Sequence, residues 1–260
     1  MTKRRVVFDL LFGLVGSLLL LFIILPLFSI LLGTSPKNFI LALTDPQVTN
    51  SVGLTFGAAA IATALAALSG IPLAYLLARR QFHGKRLVEA LVNLPIIVPH
   101  TAAGVALLMV FGRRGLLGQW LEPIGLTFTD SLGGIVVGML FVSLPFLVNT
   151  SREAFAMVDE ELERVALTDG ASHWQAFWHV SLPLAWRGVL AGALMMWARG
   201  ISEFGAVVIL AYHPKIVPVL VYERFEGFGL DAAQPVAALL IVVALLTLAI
   251  LRLALLPRQK

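Results

Sequence analysis

DEELERVALTDGASHWQAFWHVSLP, residues 159–183, is a long amphipathic interruption in an otherwise apolar chain. Val158, Leu162, Val165 and Ala166 recur at helical spacing, and Asp159, Glu160, Glu161 and Glu163 crowd the first turn, where a helix dipole favours negative charge. Gly170 ends that helix. Ser172 and Gln175, three residues apart, read as a capping box that opens a second short helix, whose Trp174, Phe177 and Trp178 give it an aromatic side. The segment is therefore helix, glycine turn, helix, with Ser181-Leu182-Pro183 leading back into apolar sequence. Its acidic polar face suits docking on a protein better than lying on lipid, because interfacial helices carry a Lys/Arg-rich polar face.

Outward from this segment the composition sets the class. Of 260 residues, 59% are hydrophobic and 13% charged, with a mean hydropathy of +0.92. That is too few charges to cover a soluble domain of this size, so the chain reads as an all-α polytopic membrane protein in contact with lipid. The net charge of +4 is spread between apolar runs. It fits membrane orientation and excludes nucleic acid as the expected partner. Cysteine is absent, which removes disulfides and thiol chemistry.

Six apolar runs are legible. Lys3, Arg4 and Arg5 precede the first, about residues 6–32, which is too long for the apolar core of a signal peptide and spans a bilayer once. A polar loop with Pro36, Lys37, Asp45 and Pro46 follows. The second run, about 52–78, is rich in Gly and Ala and suits a helix packed closely inside a bundle. The third, about 87–111, contains Pro95 and Pro99, which kink a membrane helix and free carbonyls that need partners or a cavity. After a loop of about 112–130, the fourth covers 133–149, interrupted by Pro145. The fifth runs about 184–212 and the sixth about 232–256, with Arg252, Arg258 and Lys260 at its end. Six crossings place both termini on one side. Lys and Arg number about thirteen on the side of the termini and the 159–183 segment against about five on the other, which makes that side cytoplasmic. Arg113 and Arg114 are the main exceptions, read as snorkelling at the outer interface or meeting an outer partner.

Arg199 lies in the fifth run, where a guanidinium costs at least about 2.5 kcal/mol on insertion scales unless it has a partner or a watery path. Glu203, four residues on, shares its helical face. Two readings stand: the pair neutralises itself, or Arg199, Ser202 and Glu203 border a translocation route with Arg199 attractive to an anion. His100 and Thr101, just after the second kink, are candidates for the same route, although a lone His there is commonly a helix-to-helix hydrogen-bonding group. The five histidines have no metal-ligand spacing, so no metal site is expected.

With these residues in view, the chain resembles the permease subunits of ABC importers. Their cytoplasmic loop carries Glu-Ala-Ala, three residues, Gly, nine residues, an aliphatic residue, any residue, then Leu-Pro. Here Gly170 precedes Val180-Ser181-Leu182-Pro183 at the right distance, while Arg164, Val165 and Ala166 stand at the Glu-Ala-Ala positions and Glu163 falls one place early. WARGISEFGAVVILAYHP (197–214), LPIIVPHTAAGVALLMVFG (94–112) and PVLVYERFEGFGLDAAQPVAALLI (218–241) resemble the molybdate, tungstate and sulfate branch, nearest to its molybdate/tungstate members. The resemblance implies a type I importer permease fold over residues 1–260 as a single transmembrane domain. Its coupling loop would lie at about 153–183, with Glu163, Arg164, Val165, Ala166, Gly170, Ala171, Trp174, Leu182 and Pro183 as ATPase-coupling residues. It further implies a second copy of the chain, two cytoplasmic ATPase subunits and an extracytoplasmic oxyanion-binding protein, in a prokaryotic cell membrane.

The chain itself has no G-x-x-x-x-G-K-[ST], so ATP and Mg²⁺ are expected on the partner subunits and no cofactor or catalytic residue on this one. A sulfate or thiosulfate permease is the nearest alternative. An ion-coupled secondary transporter would call for inverted repeats, which are not visible. An intramembrane enzyme would need motifs such as H-E-x-x-H or G-x-S-x-G, which are absent.

Overall fold

The computed structural model describes residues 3–255, and the side chains of 8–247 and 249 among them. Of the basic residues read at the two ends, the side chains of Lys3, Arg4, Arg5 and Arg252, and all of Arg258 and Lys260, lie outside the described residues. The helices are α1 (Lys3–Gly33), α2 (Pro36–Thr44), α3 (Pro46–Arg79), α4 (Lys85–Ile97), α5 (His100–Phe111), α6 (Gly118–Leu121) and α7 (Leu132–Ala156). They continue as α8 (Glu160–Thr168), α9 (His173–Ala176), α10 (Leu182–Ile201), α11 (Gly205–Leu210), α12 (Val217–Phe228) and α13 (Leu230–Leu255).

Among the described residues, five helical stretches are long and apolar enough to cross a membrane: Phe8–Gly33, Pro46–Arg79, Leu132–Ala156, His173–Ile201 and Leu230–Thr247. The third apolar run is different. It breaks into α4 and α5, bent by 113°, and counts as a sixth span only if the bent pair is one crossing. The break falls where Pro99 forces Val98 into an extended conformation (φ −69, ψ 129). Pro95 and Pro145, by contrast, stay inside α4 and α7.

Three stretches read as loops or single runs differ from that reading. The polar loop after the first run contains α2, because Ser35 caps it by accepting from the Asn38 N–H at 3.2 Å and Pro36 suits its first turn. α3 then starts at Pro46, ahead of the apolar run, with Asp45 Oδ1 accepting from the Gln47 N–H at 2.8 Å. The loop of 112–130 holds α6 and a 3₁₀ turn, and Arg113 Nε lies 3.7 Å from Glu122 Oε1. The fifth run ends as a helix at Ile201 and resumes as α11.

The chain divides into two compact units, Met1–Val52 with Leu220–Lys260, and Gly53–Val219. In the first, α13 meets α1 through Gln234 Nε2, which donates to the Ile30 carbonyl at 3.1 Å, and Arg224 on α12 bonds Asp45 at 2.5 Å. In the second, α7 is central and runs antiparallel to α10. Small residues let their backbones close: Gly188 faces Ala154, and Gly192 faces the Leu147 carbonyl and Thr150. Ala74, Leu77, Val92, Val148, Phe155, Val158, Phe177, Ala185 and Val189 form a core where α3, α4, α7 and α10 converge on the 159–183 segment.

Candidate functional site

Asp159 caps α8, its Oδ1 accepting from the Glu161 N–H at 2.9 Å, and Glu160, Glu161 and Glu163 occupy the first turn as the charge pattern requires. α8 is held by one of those carboxylates. Glu163 Oε1 accepts from Arg79 Nε at 2.8 Å and from Ser181 Oγ at 2.7 Å, and its Oε2 accepts from Tyr75 Oη at 3.0 Å. Arg79 also donates from Nη2 to the Val158 carbonyl at 2.8 Å, and the Tyr75 ring stands edge-on to Phe155 and Phe177. One carboxylate thus ties the end of α3 and the approach to α10 to α8.

The other residues of the 159–183 segment divide by exposure. Arg164 points to solvent with Nη1 3.4 Å from Glu161 Oε2, and Val165 is exposed beside Leu162. Ala166 and Ala171 are half-buried, joined by an Ala171 N–H to Ala166 carbonyl bond of 3.0 Å that closes the turn over Gly170. Gly170 has φ +96, open to glycine without strain. The capping box is present: Ser172 Oγ accepts from the Gln175 N–H at 3.2 Å and Gln175 Oε1 from the Ser172 N–H at 2.8 Å. The second short helix is not a separate unit, however. α9 passes through a π turn, Phe177–Ser181, straight into α10, with Leu182 and Pro183 as its first residues. The Leu182 N–H reaches back five residues to the Phe177 carbonyl, and the wider turn accommodates the proline ring. Trp174, 69% exposed, and Trp178 line an apolar groove with Leu68, Pro72 and Leu76 of α3, while Leu162 and Val165 are exposed on α8.

The second constellation lies at the other end of α10. Glu203 is fully buried, its Oε2 accepting from Arg199 Nη2 at 2.8 Å and its Oε1 accepting from the Ala206 N–H at 2.8 Å. His100 Nδ1 lies 2.9 Å from Arg199 Nη2 and 3.1 Å from Glu203 Oε2. Arg199 Nη1 donates to Ser202 Oγ at 3.2 Å. The carboxylate is sealed, whereas Arg199 and His100 stay partly exposed, so the cluster presents its cationic and imidazole side outward. Thr101 is exposed on the first turn of α5 and takes no part in these bonds among the described residues. No group of three His, Asp or Glu among the described residues could hold a metal ion.

Of the residues read from the sequence as one group, His100, Arg199, Ser202 and Glu203 lie in contact and Thr101 stands outside their bonds, while Tyr75 and Arg79, the anchors of Glu163, were not among the residues singled out. Those partners are separated from Glu163 by 88 and 84 positions, beyond the reach of any local pattern.

Residues 70–258 match the family described as binding-protein-dependent transport system inner membrane component. The chain is 41% identical over 244 residues to the molybdate/tungstate transport system permease protein of Thermococcus kodakarensis, covering 93% of this chain and 94% of that one. It is 42% identical to the counterpart in Pyrococcus furiosus, covering 91% of each. A sulfate transport system permease protein of Synechocystis is 34% identical, with 90% of this chain and 85% of that one covered. Among solved structures, a bacterial ABC transporter involved in the import of the acidic polysaccharide alginate has a TM-score of 0.72 at 17% identity, over 99% of this chain and 98% of that one.

Proposed function

Because the chain belongs to the family of binding-protein-dependent transport inner membrane components, and is thereby the permease subunit of an ABC importer, we propose that it passes molybdate or tungstate along a route bordered by Arg199, His100, Ser202, Glu203 and Thr101. The observation that carries this reading is the Arg199 cluster, together with the identity to molybdate/tungstate permeases. A guanidinium, permanently charged and planar, matches a dianionic tetrahedral oxyanion with paired N–H donors. Glu203 alone would repel that ion. Buried behind the guanidinium, it instead fixes Arg199 in place and lowers the cost of holding a cation inside a membrane protein.

The working cycle rests on division of labour. Two copies of the chain share the path, two cytoplasmic ATPase subunits bind ATP and Mg²⁺, and an extracytoplasmic binding protein delivers the oxyanion. Both termini and the 159–183 segment face the cytoplasm in this arrangement. Ala166, Gly170, Ala171 and Trp174 meet the ATPase, and closure of the ATPases displaces α8 and α9. Glu163 passes that displacement to α3 through Arg79 and Tyr75, while Leu182 and Pro183 pass it to α10. The helices then open toward the binding protein, and hydrolysis restores the inward-facing state.

The test is ATP hydrolysis by the permease co-purified with its ATPase in lipid discs, with the binding protein loaded with molybdate, tungstate or sulfate. Stimulation by the molybdate- or tungstate-loaded protein is expected. Stimulation by sulfate alone assigns the sulfate reading, and oxyanion flux through vesicles containing this chain alone overturns the coupling.

A further inference from the structure

α4 and α7 are apolar helices that meet along a polar seam. Asn149 Nδ2 donates to Asn93 Oδ1 at 2.6 Å, and Arg152 Nη1 donates to Glu89 Oε1 at 3.0 Å. Glu89 and Asn93 are four apart on α4, Asn149 and Arg152 three apart on α7, so each pair shares a helix face. Polar and charged groups inside membrane helices face protein or water. This seam is not sealed by protein within the chain: the Glu89 and Arg152 side chains keep 29% and 30% of their surface, and Asn93 and Asn149 are half-buried. Among the exposed apolar residues of α4, Leu87, Leu91 and Leu94 take other positions around the helix and Ile96 continues the face of Glu89 and Asn93, while Val92 and Pro95 are buried.

The seam repeats the chemistry of the Arg199 cluster. Each has an arginine held by one carboxylate, Arg152 by Glu89 and Arg199 by Glu203, with a neutral hydrogen-bonding side chain alongside. The bent pair α4 and α5 carries a member of each, Glu89 and Asn93 before the break and His100 directly after it. Their levels differ. Arg152 stands four residues before the end of α7 that enters the docking segment, and Arg199 stands at the far end of the antiparallel α10. The contacts of Gly188 with Ala154 and of Gly192 with Leu147 and Thr150 set Arg152 level with about residue 190, so the Cα atoms of the two arginines are roughly 14 Å apart along the helix axis.

We propose that Glu89, Asn93, Asn149 and Arg152 form a second oxyanion station, on the docking-segment side of the Arg199 cluster, through which the anion leaves. It rests on the permease reading and adds a site to it. In the structure described here the Glu89 carboxylate occupies the guanidinium and closes the station. Movement of α4 against α7 exchanges that carboxylate for the travelling oxyanion, to which each asparagine amide donates one N–H, the other N–H of Asn93 staying on the Glu89 carbonyl at 2.8 Å. Competition from Glu89 keeps the ion from being trapped, since passage requires binding weak enough to leave.

The chain has no cysteine, so single thiols report cleanly. Asn93→Cys, Asn149→Cys and, from the exposed apolar side of α4, Leu91→Cys are each placed in the full complex in lipid discs. They are probed with anionic and cationic methanethiosulfonate reagents without nucleotide, with ATP and after vanadate trapping. The expected result is reaction at 93 and 149 at least tenfold faster than at 91 in one of these states. A preference for the anionic reagent at 149 is also expected, to be lost when Arg152→Gln is added. Unreactive thiols at 93 and 149 in all three states overturn the proposal and make the seam a closed clamp or a surface covered by the second copy. Reaction without charge preference overturns the anion station. Neither readout depends on which oxyanion stimulates the ATPase, so failure of the molybdate/tungstate reading is seen separately.

Discussion

Arg79 Nε and Glu163 Oε1 are 2.8 Å apart in a pair whose side chains are 5% and 13% exposed, joining the end of α3 to the first turn of α8. Removing the carboxylate leaves a buried guanidinium with only the Val158 carbonyl and a distant Glu160. Glu163→Ala is expected to destabilise the complex by about 3 kcal/mol and to lower oxyanion transported per ATP, whereas Glu163→Gln keeps acceptor capacity and loses less. Thermal unfolding of the purified complex and paired transport and hydrolysis assays measure both.

The Arg199–Glu203 pair predicts a coupling energy. Glu203→Gln leaves Arg199 without its counter-charge in a buried setting and is expected to cost about 3 kcal/mol, as is Arg199→Met. The double variant is expected to be less destabilised than the sum by at least about 1 kcal/mol. Both single variants are expected to lower transport at least tenfold.

Gly170 tests the turn apart from packing. Nothing lies within 4 Å of a Cβ built there, so the cost of substitution comes from φ +96 alone. Gly170→Ala is expected to cost about 1 kcal/mol and Gly170→Asn less. Gly170→Asp and Ala166→Glu, which add charge to the docking surface, are expected to uncouple ATP hydrolysis from the loaded binding protein while the permease still assembles. Normal transport by either variant sinks the coupling reading.

Much of this was legible before any coordinates. The acidic first turn, the capping box of Ser172 and Gln175, the turn at Gly170 and the association of Arg199 with Glu203 are local patterns, set by capping and helical spacing. What was hidden depends on long-range packing. Tyr75 and Arg79 read as ordinary residues at the end of a run, and only the arrival of Glu163 makes them anchors. Asn93 and Asn149 look like scattered polar residues until α4 and α7 are laid together. α2 escaped because Ser35, Pro36 and Asp45 are equally good loop residues, and the capping roles of Ser35 on α2 and of Asp45 on α3 depend on which backbone N–H groups their side-chain oxygens meet.

Asp45 predicts a pH dependence in the unit that holds α2 and α12. The hydrogen bond from Arg224 holds its carboxyl below the ordinary carboxylate range, although partial burial opposes this. Stability from the pair is therefore complete above that range and is lost as pH falls through the depressed value. The stability difference between wild type and Asp45→Asn, about 1 kcal/mol near neutral pH for so accessible a pair, is expected to shrink as pH falls below about 4, read from thermal unfolding across that range.

At the crossing of α5 and α11, a Cβ on Gly104 would lie 2.8 Å from Ile209 Cβ and 2.9 Å from the Ala206 carbonyl oxygen. Gly104→Ala is expected to destabilise the fold by about 1–3 kcal/mol and Gly104→Val by more, read from thermal unfolding. Since Ala206 donates to Glu203, the same variants are expected to lower transport more than their stability loss alone predicts.

The π turn at Phe177–Ser181 is shaped like one pitch of a screw thread, between the 159–183 segment's first helix and the helix that carries Arg199 in its last turn. It holds one residue more than an α turn would. Were a tug on Trp174 to convert it to α geometry, everything beyond would swivel by about 100° and advance by about 1.5 Å, so force applied at one end would arrive at Arg199 as torque.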